Sequence, residues 1–228
     1  IDGVVVVIPA NELIAAPGGQ PKLLAAAEKK AEILHDKLSE LQRKLQIVFP
    51  VYVLITKCDK IKGFEEFFTL VPPEQQATLF GWSNPHPTEA AFDPNWVGDV
   101  FESVEQDIAR VRERMLKSGE APENADLVFL FPEEFRSIRS ALKIYLDGIF
   151  DFSRYEEPHR FRGVYFSSGG QDQQPISSLV EYGKKSAGRR TAGAAAAQGT
   201  LFLEETEELF GRPYFVRDFY LRKVFKES

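Results

Sequence analysis

Residues 49–59 read FPVYVLITKCD and decide the fold. The part from 49 to 55 is almost continuously apolar, which is typical of a strand covered on both faces. The polar residues that follow at once, 56–59, then lie at the carboxyl end of that strand, where ligands bind in open α/β sheets. This stretch therefore predicts a central strand of a parallel sheet, with a loop at its ligand-binding edge.

Segments on both sides place this strand in a sheet. Residues 4–8 form an equally apolar run, and residues 22–46 carry an apolar stripe at helical spacing. Because the heptad-like part of that stripe is short, a helix packed on the sheet is favoured over a coiled coil. Strand, helix and strand in this order form a βαβ unit. Residues 163–166 predict a third strand, so we expect all three strands to run parallel in one sheet.

The residues between the second and third strands predict a helical insertion. Helical patterns cover 99–117 and 132–150, the second beginning at a proline after the apolar run 127–131, while 82–98 read as an irregular loop. We therefore divide the chain into an α/β core of residues 1–62 and 161–183, a helical insertion of residues 63–160, a flexible loop of residues 184–200 and a C-terminal helical segment of residues 201–228.

Composition excludes several classes of protein. A net charge of −6 argues against binding to duplex nucleic acid, which favours a basic face. No apolar run approaches the roughly 20 residues that span a bilayer. A single cysteine, Cys58, rules out an internal disulfide and fits a reducing compartment. Since the chain opens at Ile1 in an apolar run and its one methionine is Met115, we expect a piece of a longer protein, with part of the sheet upstream.

Thr56, Lys57 and Asp59 form the sharpest functional pattern. In P-loop GTPases the element after such a strand is Asn/Thr-Lys-x-Asp, in which the carboxylate accepts hydrogen bonds from the N1–H and N2 amine of guanine. Adenine lacks this pair of donors, so the carboxylate selects guanine. The lysine stem packs along the base, and the first residue ties neighbouring loops together. The alternative interpretation is a simple turn leading to Gly63.

Ser167, Ser168 and Gly169 follow the third strand and form a second, weaker pattern. In GTPases a Ser-Ala-Lys-like loop at this place lets a backbone N–H reach the guanine O6. Gly169 stands where that loop has lysine, so one stacking side of the base would be lost; an ordinary turn has the same composition. We expect this loop and residues 56–59 to meet at one edge of the sheet.

The strands and loops together predict an α/β fold: a P-loop GTPase-like, mostly parallel sheet without its N-terminal part, with a helical insertion and a helical tail. No Gly-x-x-x-x-Gly-Lys-Ser/Thr occurs in the chain, so we expect it to hold no phosphate, no Mg²⁺ and no cofactor by itself. His35, His86 and His159 lack metal-ligand spacing, and we interpret them as structural or solvent-facing. We predict no catalytic residue and no metal ligand.

Six strings in order extend these patterns over most of the chain: IDGVVV at 1–6, FPVYVLITKCD at 49–59, GFEEFF at 63–68, FPEEF at 131–135, RGVYFSSG at 162–169 and GRPYF at 211–215. In these strings the chain resembles the cytoplasmic region of the TssM/IcmF proteins of type VI secretion systems. That family consists of large inner-membrane proteins, of which many carry a phosphate-binding loop upstream of this region and some have lost it.

The resemblance implies a location at the cytoplasmic face of the bacterial inner membrane, with membrane contact only through other parts of the parent protein. It implies TssL, TssJ and cytoplasmic baseplate components as partners. The net charge of −6 argues against nucleic acid as a further partner. GTP or ATP with Mg²⁺ is then a cofactor only for the parent.

Three functions remain to be weighed. The main hypothesis is a structural and interaction module with a partial, base-side nucleotide site. The alternative is a working GTPase that acts as a switch or motor once the upstream phosphate loop is included. A small-molecule enzyme is disfavoured because no paired acid and base or nucleophile pattern is found. We expect the chain alone to bind guanine nucleotide very weakly or not at all and to hydrolyse none.

Overall fold

The fold is α/β in the part of the chain that the computed structural model describes, which is residues 3–72, 80–118, 124–151 and 157–168. The strands are β1 (Val4–Pro9), β2 (Pro50–Thr56), β3 (Gly81–Ser83) and β4 (Arg160–Phe166). The helices are α1 (Gln20–Leu45), α2 (Phe64–Phe68), α3 (Trp96–Ser118), α4 (Ala125–Ser137) and α5 (Arg139–Phe150), with short 3₁₀ turns at Ala10–Glu12 and Cys58–Lys60. The predicted loop 184–200 and C-terminal segment 201–228 lie outside the described residues.

The sheet has the order β1-β2-β4-β3. β2 lies between β1 and β4 and pairs in parallel with both, so that Ile8 stands beside Ile55 and Ile55 beside Phe166. This confirms the prediction of three parallel strands in one sheet. β3 adds an antiparallel edge to β4. β3 lies partly within residues 82–98, for which the sequence predicted an irregular loop. The prediction missed this strand because three residues are too few to give an alternating pattern.

β2 is central because both of its faces are covered. Every side chain from Val51 to Ile55 is buried. Since side chains alternate along a strand, Val53 and its neighbours two residues away share one face, whereas Tyr52 and Leu54 point to the other. On that second face Tyr52 and Leu54 pack with Tyr165 of β4.

Aromatic side chains join the helices to the first face of the sheet. The Phe135 ring of α4 lies 4.9 Å from that of Phe166, and the Phe150 ring of α5 lies 4.8 Å from that of Phe161. All four rings are almost fully buried. Helices α4 and α5, which precede β4 in the chain, therefore share one hydrophobic core with the sheet. The boundary drawn between core and insertion stays a prediction.

α4 corrects the prediction that a helix begins at Pro132. The helix begins at Ala125 and continues through the proline. Pro132 has no N–H to donate to the carbonyl of Val128, which weakens a helix interior. Burial of Val128, Phe131 and Phe135 along one side offsets that loss, because the apolar stripe packs into the core. α3 likewise begins at Trp96, a turn earlier than the predicted start at 99.

α1 matches the predicted helix over 22–46 closely and packs on α5. The two helices approach closely at Ala31 and Gly148, where a Cβ added to the glycine would lie 2.7 Å from the Ala31 Cβ. Small residues on both sides allow this approach. Within the described helices, none combines the length and the hydropathy needed to cross a membrane.

Candidate functional site

The carboxyl edge of the sheet brings the two predicted loops together. Ser167 donates its backbone N–H to the carbonyl of Ile55 at 2.8 Å, and Cys58 donates its own to the carbonyl of Ser167 at 3.1 Å. The Ser167 hydroxyl also donates to the Ile55 carbonyl, at 3.3 Å. These bonds continue the β2–β4 pairing beyond the ends of the strands. They hold the first residues of the two loops next to each other.

Asp59 is the centre of this edge. The Ser168 hydroxyl donates to its Oδ1 at 2.6 Å, and Lys60 Nζ lies 3.1 Å from its Oδ2. The Asp59 side chain is only 7% exposed. Burial alone would raise the pKa of Asp59, but the hydrogen bonds from Ser168 and Lys60 outweigh it and hold the pKa below its ordinary value. The carboxylate is therefore ionised at neutral pH, and each oxygen already has a partner.

The other predicted site residues differ in exposure, backbone conformation and hydrogen bonding. Lys57 is exposed and adopts a left-handed backbone with φ of 57°. This conformation turns the chain out of β2, and the Lys57 carbonyl then accepts the N–H of Lys60 at 3.0 Å. Thr56 ends β2 half-buried, and its side chain makes no hydrogen bond to any residue that the structure describes. Gly169 lies outside the described residues.

Cys58 has a structural environment. Its side chain is fully buried, and its thiol contacts the carbonyl of Ile55 at 3.5 Å. Burial raises the pKa of the thiol, so the thiolate needed for nucleophilic chemistry is not populated at neutral pH. Its backbone N–H donates to the Ser167 carbonyl, which is one of the bonds that join the two loops.

Glu12 belongs to the same edge, and the sequence patterns did not single it out. It lies in the 3₁₀ turn after β1, where its Oε1 pairs with Lys30 Nζ at 2.6 Å and its Oε2 accepts the Tyr145 hydroxyl at 2.8 Å. Partial burial would raise the pKa of Glu12, but Lys30, Tyr145 and the nearby charge of Lys57 together lower it. An acid directly after a parallel strand was the signal that could have identified it.

These residues fit a guanine base in part. An ionised carboxylate at the carboxyl edge, oriented by a neighbouring serine, is the acceptor that the base requires. Each Asp59 oxygen already has one partner and the side chain is only 7% exposed, so a base approaching Oδ2 would compete with Lys60 for it. Lys60 is 41% exposed, and an ion pair of this kind contributes about 1 kcal/mol or less.

The histidines have the structural surroundings that the sequence predicts. His35 contacts the carbonyl of Ile149 at 3.1 Å through Nδ1, and its ring lies 5.1 Å from that of His159. The exposed His86 ring stacks on Trp96 at 4.8 Å. Across the described ranges, no group of three or more His, Cys, Asp or Glu side chains is arranged to hold a metal ion.

Comparison with known proteins gives one consistent result. A family model described as the IcmF-related N-terminal domain matches residues 1–228. A curated relative, the type VI secretion system component TssM1 of Pseudomonas aeruginosa, is 31% identical over 230 residues. The match covers 100% of this chain and 19% of that relative, so the chain spans about a fifth of its length. No solved structure gives a significant match.

Proposed function

This chain belongs to the IcmF-related (TssM/IcmF) family, and on that basis we propose that it is a cytoplasmic structural and interaction module of a type VI secretion complex. In this proposal the chain lies at the cytoplasmic face of the inner membrane, and other parts of the parent protein make the membrane contact. Its partners are further components of the secretion machine, among them TssL, TssJ and cytoplasmic baseplate proteins.

A P-loop GTPase-like origin of the fold forms part of the proposal. It is supported by the β1-β2-β4 order, by parallel pairing, and by the meeting of the two strand-end loops at one edge. Among the described residues β1 pairs on one side only, with β2. In the parent, a strand leading into a phosphate-binding loop would extend the sheet beside β1.

The contact between Asp59 and Ser168 carries the proposal of a base-side site. This contact gives an ionised acceptor at the edge where a base would lie. The same contact and the Lys60 pair leave the carboxylate nearly covered, which favours a relict or auxiliary site over a working one. Thr56, Lys57, Ser167, Ser168 and Gly169 are the remaining proposed base-side residues. If the parent protein binds GTP or ATP with Mg²⁺, the residues that bind the phosphates would lie in the parent outside this chain.

Weak nucleotide binding follows from the same contacts. A hydrogen bond to a charged acceptor contributes about 1.5–3 kcal/mol before ordering costs are subtracted. Two such bonds fall short of the roughly 8 kcal/mol that micromolar affinity requires. We expect calorimetric titration of the chain with GTP or ATP and Mg²⁺ to detect no micromolar binding and no turnover. Micromolar affinity that is lost in Asp59→Ala would instead support the alternative of a working GTPase.

A secretion assay separates the two functions in the parent. Lys57→Ala removes the exposed lysine stem that would pack on a base but leaves the internal contacts of Asp59 in place. If the chain is a structural module, secretion by a strain carrying Lys57→Ala should equal that of wild type. Loss of secretion with normal protein level and normal assembly would support a nucleotide-driven switch or motor and contradict the structural role.

A further inference from the structure

A groove with an apolar floor lies between α1, α5 and the segment before α3. It encloses about 700 Å³, which is the size of a small-molecule pocket or a seat for a few side chains. Its floor is formed by Phe92, Pro94, Ile144 and Phe150. The Phe92 and Phe150 rings contact each other with centroids 5.3 Å apart, and the close approach of α1 and α5 fixes one wall. The floor is therefore preformed.

Five carboxylates form the rim of this groove. Glu28, Glu32 and Asp36 come from α1, at steps of four along one face, and Asp147 and Asp151 come from α5 and its end. The residues described as lining the groove include no lysine or arginine. We refer to this feature as the acidic groove. A phosphate-bearing ligand would be repelled here, whereas cationic groups would be attracted.

The rim acids of α1 lack the partners that acids have elsewhere on the described helices. Glu40 and Glu113 each pair with a lysine one turn away, and so does Asp147, the rim acid on α5. The ion pairs seen for α1 are Lys30 with Glu12 and Lys44 with Glu40, so none involves the rim. Like charges four residues apart in fact destabilise a helix by about 0.2–0.5 kcal/mol per pair. Repulsion between these rim acids therefore opposes the stability of α1, and neither of the ion pairs described for α1 involves them.

From the apolar floor and from the rim acids of α1, which have no described ion pair, we infer that the acidic groove is a docking site for a basic segment of a protein partner. The segment carries lysines or arginines that pair with the rim and one large apolar side chain that enters the floor. A bare metal ion does not fit, since no described group of side chains is arranged to bind one. The inference rests on the proposed interaction role and specifies the chemistry of one partner surface.

The probe that tests this is a short labelled peptide in which arginines flank a single phenylalanine, titrated into the 228-residue chain and followed by fluorescence anisotropy. We expect saturable binding that weakens as salt is added. The variant Glu28→Gln/Glu32→Gln/Asp36→Asn should bind about tenfold more weakly, which corresponds to ~1.4 kcal/mol. A peptide with serine in place of phenylalanine should also bind more weakly, because it leaves the floor unfilled.

The matched control removes the same charge from another surface. Glu102→Gln/Glu113→Gln/Glu133→Gln changes exposed acids on α3 and α4 and should bind the peptide as wild type does. Absence of saturable binding, equal loss in both triple variants, or equal binding of the serine peptide would each overturn the docking site. Because this test uses neither nucleotide nor secretion, its failure is distinguishable from failure of the proposed function.

Discussion

Acidic side chains at the carboxyl edge of the sheet and in the acidic groove are used in opposite ways. At the edge, Asp59 and Glu12 each accept contacts from a hydroxyl and a lysine, and both have a lowered pKa. In the groove, Glu28 and Glu32 have no described ion pair and repel each other along α1. Carboxylates that are satisfied internally contribute to folding stability, whereas unsatisfied ones on a preformed surface remain available to a partner.

Asp59→Ala is the substitution for which this contrast predicts the largest change in stability. It removes the acceptor of Ser168 and the partner of Lys60, and it opens a gap at the edge. We expect a loss of about 3 kcal/mol in the free energy of unfolding at neutral pH, from hydrogen bonds to a charged group of about 1.5–3 kcal/mol each and a small ion-pair contribution. Urea denaturation measures it. Glu28→Ala is the control, with a change within about 0.5 kcal/mol. Equal losses in the free energy of unfolding for the two variants would contradict the contrast between the sheet edge and the acidic groove.

Ser168→Ala should have a smaller effect, because Asp59 keeps Lys60 and gains access to water. We expect a loss of about 1.5 kcal/mol, the contribution of one hydrogen bond to a charged acceptor. The same substitution should raise the pKa of Asp59, which carboxylate NMR shifts would follow. Ser137→Ala, which removes an exposed hydroxyl bonded only to the Glu134 carbonyl, is the comparison. No change in the Asp59 pKa would mean that the 2.6 Å contact does not persist in solution.

The pH dependence of stability sharpens the contrast further. Since the pKa of folded Asp59 lies below its ordinary value of 3.8, the carboxylate contributes stability above pH 3.8. That contribution is lost as the pH falls through the folded pKa. Asp59→Asn should therefore show a smaller loss of stability than wild type over this acid range. Denaturation of both proteins at a series of pH values measures the difference, and parallel curves would contradict it.

The smallest expected effect is in the groove itself. Glu28→Gln/Glu32→Gln/Asp36→Asn relieves repulsion along α1, so the free energy of unfolding should stay the same or rise by about 0.5 kcal/mol at low salt. Added salt should reduce any gain, because it screens the repulsion in wild type. Thermal unfolding at two salt concentrations decides this. A clear loss of stability would mean that the rim acids are structural, as Asp59 is.

Some of this architecture could be predicted from sequence because local pattern and global position agree. The uninterrupted apolar run ending at Ile55 predicted a central strand, and parallel pairing then predicted that Asp59 and Ser168 would meet. The predictions failed where packing against residues distant in the chain determines the local structure. Pro132 lies inside a helix because the Phe131 side of α4 is buried, which no local rule indicates. The position of Glu12 after β1 was a local signal, but its partners Lys30 and Tyr145 come from two helices that no local pattern brings to it.

The pairing of β2 with β4 also sets an order of events during synthesis. Asp59 and Ser168 are 109 residues apart in the chain. β1, α1 and β2 emerge from the ribosome one after another and can form a βαβ unit at once. The other edge of β2 stays unpaired until β4 has been synthesised. At roughly 5–20 residues per second this delay is on the order of ten seconds. Any intervening helix that folds during that time does so on an incomplete sheet, whose open β2 edge is an aggregation-prone surface for the nascent chain.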